Sequence, residues 1–213
     1  MRFKYDMITN RPQIMFIDQV FSRFGDLLDL RLAKRIPTTE DATRYTFFAA
    51  VLGVEGLGPE NIELESSHPQ IPRAEIDTVI NSSSGGKNAV EFKYDRPLPG
   101  GKNTPRTQRA GNAFNDMRRL SLIGADTKYV ARLFVYVATK EMFAYFNNQT
   151  NGLSDVFNMQ VNDVIFLDSA FFTGKAQSFN AACGDKFVAK LKAKYKRTLP
   201  YEHQLRIYDI SPK

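Results

Sequence analysis

The segment from Lys128 to Ala138 constrains the fold most. Val130, Leu133, Phe134, Val135 and Val137 crowd into it. A strand this apolar belongs at the centre of a sheet covered on both faces. The surrounding order fits that placement. Ile14 to Ile36 carries Ile14, Ile17, Val20, Phe21, Phe24, Leu27, Leu28 and Leu32 near a 3.6-residue period, which predicts a helix, with Gly25 as a weak point in its middle. Pro37-Thr38-Thr39-Glu40-Asp41 starts a second helix, Glu40 to Leu52, with a threonine cap and two acids where the dipole favours them. Gly53, Gly56 and Gly58 end it.

Strands are predicted at Asn61–Glu65, Glu75–Ile80 and Ala89–Tyr94, the last two joined by the turn Ser82-Ser83-Ser84-Gly85-Gly86. A polar loop from Arg96 to Thr107 leads into a helix at Gln108–Leu122. Asp163–Leu167 reads as a weaker strand, Asp185–Arg197 as a basic helix with Phe187, Val188, Leu191 and Tyr195 apolar, and Gln204–Ile210 as a final strand. The sum is an α/β (α+β mixed) fold, a central mixed sheet flanked by helices on both sides. One domain spans 1–213: a helical part at 1–60, a core at 61–140, and a part at 141–213 that carries the basic helix.

Composition narrows the function. The longest uninterrupted apolar runs, Phe47–Leu52 and Leu133–Ala138, are six residues, against about 20 for a spanning helix, so no membrane partner is expected. No long apolar stretch follows the N-terminal Met-Arg-Phe-Lys-Tyr-Asp, so no signal peptide is expected. A single cysteine, Cys183, excludes a disulfide framework, and His68 and His203 lie far apart with no metal-ligand spacing. The net charge of +6 is unevenly spread. Lys87–Arg119 holds eight basic residues and three acids, and Lys186–Arg197 holds six basic residues and no acid, which leaves the remainder of the chain at −5. Such a distribution suits a polyanion bound on a defined surface, although basic stretches also serve as plain solvated faces.

The chemistry concentrates on the predicted hairpin. Side chains alternate along a strand, so Glu91 and Lys93 share one face. A hairpin centred on Ser84 sets Asp77 opposite Glu91, and Lys93 opposite Glu75. Two carboxylates about 6 Å apart, at an effective dielectric of about 20, repel by about 3 kcal/mol. A hard divalent cation such as Mg2+ reverses that sign. A lysine beside it can orient or activate a water, or stabilise charge developing on a phosphoryl group. The alternative is an ordinary exposed strand pair with a turn-side acid.

Ile76-Asp77-Thr78-Val79-Ile80 followed by Val90-Glu91-Phe92-Lys93 resembles the PD-(D/E)XK motif of the restriction-endonuclease-like superfamily, with Asp77, Glu91 and Lys93 at its three catalytic positions. The flanks Glu65-Ser-Ser-His68-Pro69 and Gln108 to Asp116 are similar to those of type II restriction endonucleases. The residue before Asp77 is Ile76 where the motif has proline, a position at which the superfamily often departs.

The resemblance implies Mg2+-dependent cleavage of double-stranded DNA with Asp77 and Glu91 holding the metal, often by a homodimer. It also implies a bacterial cytoplasmic setting, and it leaves open whether a cognate DNA methyltransferase is a partner. Members of the superfamily sometimes add an acid from an N-terminal helix. Glu40 is the candidate here, and a plain helix-start acid is the alternative.

For DNA contacts the loop and following helix offer Arg96, Lys102, Asn103, Arg106, Gln108 and Arg109, which can read bases or hold phosphates. Gln108 and Arg109 are expected to open the helix, where amides can bind a phosphate or simply be capped. Lys190 and Lys194 on the basic helix suit backbone neutralisation. His68, His203 and Cys183 are expected to be structural. A repair, recombination or phage nuclease, and a DNA-binding module without catalysis, are the competing functions.

Overall fold

The segment expected at the centre of the sheet forms β4 (Tyr129–Ala138), the fourth of seven strands among the described residues. The computed structural model describes residues 11–82, 85–96, 104–124 and 128–212, with side chains from Ile17. Leu133, Val135 and Val137 point to one face of β4 and Phe134, Tyr136 and Ala138 to the other, and all six are buried. Both faces are therefore covered, which is why the segment is apolar without alternation.

On one side lie α1 (Arg11–Ala33) and α2 (Glu40–Leu52). They bring Phe21, Phe24, Leu28, Phe47 and Val51 against Val90, Phe92, Val135 and Ile207. On the other side lie α3 (Arg106–Ser121), α4 (Lys140–Asn147), α5 (Ser154–Phe157), α6 (Ser169–Phe172) and α7 (Gln177–Cys183). There Phe114, Met117, Phe146, Phe157 and Phe179 pack on Val79, Phe134, Tyr136 and Tyr208.

The other strands are β1 (Ile62–Ser67), β2 (Glu75–Asn81), β3 (Lys87–Asp95), β5 (Val164–Leu167), β6 (Ala189–Thr198) and β7 (Gln204–Pro212). The sheet order is β1-β2-β3-β4-β7-β6-β5. Only β3 and β4 run parallel, joined through α3, so the sheet is mixed as expected.

One element differs in kind. The predicted basic helix Asp185–Arg197 is replaced by strand β6. Phe187, Leu191 and Tyr195 are spaced by four, which satisfies a helical period and a strand period alike. Ala189 and Ala193 in between break the tie, because Ala189, Leu191 and Ala193 are buried while Lys190, Lys192 and Lys194 are not. Small apolar residues carried the alternation. A bulge between Ala193 and Tyr195 then turns Tyr195 and Arg197 toward α1.

Candidate active site

The β2–β3 hairpin has the register expected, with Asn81↔Lys87, Ile80↔Asn88, Val79↔Ala89 and Thr78↔Val90 paired. Asp77 thus lies opposite Glu91, while Ser84 at the turn centre falls outside the described residues. Past Thr78 the sheet opens. β2 continues with β1 alone, through Ser66↔Ile76 and Ser67↔Glu75, and β3 continues with β4 alone, through Glu91↔Phe134 to Asp95↔Ala138. The expected pairing of Lys93 with Glu75 is not formed, because the strands have parted by that level.

A split sheet leaves backbone donors on β3 without a ladder partner, and such groups must be satisfied. Two acids do it. Asp77 Oδ2 accepts from the Phe92 amide at 2.9 Å, and Glu40 Oε2 accepts from the Tyr94 amide at 3.1 Å. Glu40 is in the first turn of α2 because Thr39 caps that helix, its hydroxyl accepting from the Ala42 amide at 3.1 Å. Glu40 also lies 3.3 Å from Lys93 Nζ. All four acid and lysine positions singled out from sequence, Asp77, Glu91, Lys93 and Glu40, therefore line one opening.

Three further charged residues join them. Arg44, one helical turn after Glu40, donates from Nη2 to Asp77 Oδ1 at 3.0 Å. Arg119 on α3 places Nη2 3.1 Å from Glu91 Oε1 and Nη1 3.9 Å from Asp116. Its backbone is fixed by His68. The Gln70 and Ile71 amides donate to His68 Nδ1, so Nε2 carries the proton and donates to Arg119 O at 2.9 Å. Burial, more than any neighbouring charge, lowers the His68 pKa. A polar cavity of about 460 Å3 opens here, walled by Glu65, Glu75, Asp77 and Arg119.

Desolvation dominates the electrostatics of two acids, Glu91 and Asp116. Glu91 is 3% exposed. Burial first, then the charge of Asp77, push its carboxyl up to about 9 against the opposing pull of Arg119. Burial likewise raises Asp116 to about 7, although Lys93 and Arg119 pull it down. For Lys93, burial works against the charge, but the carboxylates of Glu40, Asp116 and Asp95 outweigh it, so its pKa is raised. Lys93 is an ammonium at neutral pH.

Asp77 and Glu91 are the residues here that could hold a hard cation. Glu91 Oε1 is buried and accepts no aligned hydrogen bond, despite the nearby guanidinium. Asp77 brings a second hard oxygen donor beside it. Among the described residues no group of three or more His, Cys, Asp and Glu side chains is arranged to hold a metal ion. Two carboxylates are the usual protein share for Mg2+, which takes the rest of its shell from water and substrate phosphate.

The expected DNA contacts divide. Lys102 and Asn103 lie outside the described residues. Arg106 and Gln108 are exposed on the first turn of α3, which begins two residues earlier than expected. The Gln108 amide stays in the free first turn, whereas the Arg109 amide donates to Pro105 O at 3.0 Å. The Arg109 side chain is also engaged, with Nε donating at 3.0 Å to Asp95, which is 4% exposed and accepts from Tyr136 Oη as well. Arg96 borders a separate cavity beside Tyr94. Lys190 and Lys194 sit on β6, three strands from β3, and not on a helix.

Fold and site together define a mixed α/β protein with a buried glutamate facing a half-buried aspartate, and a lysine, where its sheet splits. Set against models of protein families, curated proteins and solved structures, the chain matches none. No helix among the described residues is long and apolar enough to cross a membrane.

Proposed function

We propose that this chain is a Mg2+-dependent DNA endonuclease on a PD-(D/E)XK restriction-endonuclease-like core, in particular a type II restriction endonuclease that cuts a specific double-stranded site. One observation carries the reading: Asp77, Glu91, Lys93 and Glu40 meet at the opening between β2 and β3. Burying Glu91 against Asp77 costs the fold desolvation and like-charge repulsion that Arg119 only partly offsets.

Asp77 and Glu91 would hold the ion. Bound there, Mg2+ would neutralise the scissile phosphate and acidify the attacking water. Lys93, kept protonated by Glu40 and Asp116, acts as a donor to the phosphoryl oxygen or to the water and not as a base. Glu40 holds the Lys93 ammonium and the Tyr94 amide, so it positions β3 and does not ligate. Asp116 adds a further carboxyl beside Arg119, held by burial up to about 7. Arg106 and Gln108 are the proposed phosphate contacts beside the site. A homodimer suits a palindromic target. The restriction reading carries with it a bacterial cytoplasm and a cognate methyltransferase.

The test is digestion of unmethylated plasmid DNA with Mg2+, with Asp77→Ala as the control. Discrete bands that the control loses are expected. A smear, or preference for branched substrates, replaces restriction with repair. DNA binding without cleavage of any substrate reduces the protein to a binding module.

A further inference from the structure

Across β3 from the acid pair, a second cavity of about 320 Å3 opens at the end of the catalytic strand, with Tyr94, Arg96, Tyr201, His203 and Arg35 on its walls. We infer that it binds an unstacked base of the DNA strand next to the scissile phosphate, an inference that rests on the proposed nuclease reading.

The first argument is its position. Tyr94 follows Lys93 directly, and Thr38, also on the wall, is two residues before Glu40. The cavity therefore adjoins the end of β3 that carries Lys93, on the strand's other face.

The second argument is its chemistry. Tyr201 is 52% exposed and contributes nothing to either apolar layer. It caps the loop between β6 and β7, which the Leu199 amide closes by donating to His203 O at 2.8 Å. Arg35 donates from Nε to Tyr201 Oη at 2.8 Å, with its guanidinium carbon 5.4 Å from the ring centre. Opposite, Tyr94 stacks on His203 with ring centres 6.1 Å apart, and their polar atoms lie 3.1 Å apart. His203 Nδ1 lies 3.0 Å from Pro200 O, which fits a proton on Nδ1 and leaves Nε2 to accept from the Tyr94 hydroxyl.

The cavity thus has aromatic groups on two sides and two guanidinium groups. None of the described residues on its wall is acidic, and Glu202 beside it is neutralised by Lys140 at 2.6 Å. Aromatic surface with arginine is how proteins hold single-stranded nucleic acid, base on ring and phosphate on cation. The volume is at the small end of the roughly 300–1,000 Å3 range of ligand pockets, as a single base requires.

The third argument is backbone strain. Arg35, Tyr201 and Glu202 all have left-handed φ, at 54°, 57° and 57°. Tyr201 and Glu202 lie in the β6–β7 loop, where a connection that only had to turn would use glycine or asparagine, while Arg35 ends α1, a common place for a left-handed residue. Strain kept at exposed side chains marks sites where geometry serves binding.

The test uses the full chain in Mg2+-free buffer with EDTA and a 12-nucleotide single strand carrying 2-aminopurine at one position at a time. Wild-type protein should quench one position. Tyr201→Ala should remove that quench and weaken binding ~10-fold, a typical stacking loss, while Tyr201→Phe keeps it. Arg35→Ala, which leaves the ring, should weaken binding while the quench persists at saturation. Because Tyr201 is exposed, unchanged thermal unfolding of each variant is expected. Equal quenching and affinity in Tyr201→Ala and wild type would overturn the inference. If wild type also cuts plasmid with Mg2+, only this inference falls. Quenching by a protein that cuts nothing keeps the cavity and removes the nuclease reading.

Discussion

A carboxyl that is 3% exposed and faces Asp77 keeps its proton up to about pH 9, so the acid pair must release a proton before both members can bind a cation. The consequence for stability has a definite sign. Glu91 has a folded pKa near 9 against 4.5 for an ordinary glutamate in the unfolded chain, so between those values the folded state holds a proton that the unfolded state does not. Its contribution is fully present below about 4.5 and is lost as pH rises through 9, by up to about 1.4 kcal/mol per unit. In urea denaturation without Mg2+, the stability of wild type relative to Glu91→Gln should fall steadily over that window. A flat difference would show that Glu91 is not the buried acid described. A separate residue-scale expectation concerns Lys93. Lys93→Met should lose at least about 100-fold in turnover, as when one preorganised donor is removed, yet bind Mg2+ calorimetrically like wild type. Loss of Mg2+ binding would mean that the lysine supports the acids and not the phosphoryl group.

At this scale the sequence was informative wherever strand alternation and hairpin register sufficed. Those two rules reached Asp77, Glu91 and Lys93, and the resemblance added Glu40. Arg44, Asp116 and Arg119 escaped because their roles arise from helices closing over the gap. Arg44 was accessible only as the i+4 neighbour of Glu40, and Asp116 and Arg119 only as an i, i+3 pair on α3.

At the scale of elements, a helix start connects fold to chemistry. Thr39 fixes the first turn of α2, and that turn holds Glu40 on the Tyr94 amide and Lys93. Thr39→Ala should cost about 1 kcal/mol of stability and should lower cleavage further than that loss explains at temperatures where the variant is fully folded. Cleavage equal to wild type would separate the cap from the site. The approach of α3 to α7 is a second case. A Cβ on Gly111 would collide with the Phe179 carbonyl oxygen and the Ala182 side chain. Backbone cannot move aside as a flexible side chain does, so Gly111→Ala should destabilise by about 1–3 kcal/mol in thermal or urea unfolding. The bounds of α2 were legible because cap, acids and terminal glycines agree on them. β6 was misread because its larger apolar residues fit two periods, and only its alanines, weak as hydrophobic signals, distinguish them.

Over the whole molecule, the sheet order decides which cations can share one duplex. Across the sheet, Lys93 aligns with Tyr136, then Arg206, then Lys196. Lys194 and Lys190 lie about 7 and about 20 Å further along β6 at 3.3 Å per residue, and three strand spacings are about 14 Å across. The net charge of +6 therefore acts through two separate surfaces, one beside the acid pair and one near the far edge of the sheet. Arg96 follows β3 directly and Arg106 starts α3, so both should meet phosphates flanking the cut. Each contact released contributes about 0.9 to the slope of log K against log salt on duplex DNA. Replacing Arg96 and Arg106 by Gln should therefore flatten that slope by nearly 2 and weaken all sequences alike. Replacing Lys190 and Lys194 by Gln should change it by much less, since a straight duplex centred on Lys93 reaches β6 only at its margin. The measurement is fluorescence anisotropy of a labelled duplex across a salt series without Mg2+. If the two lysines shift the slope as much as the two arginines, the DNA follows the sheet as far as β6, and the bound length must be correspondingly longer.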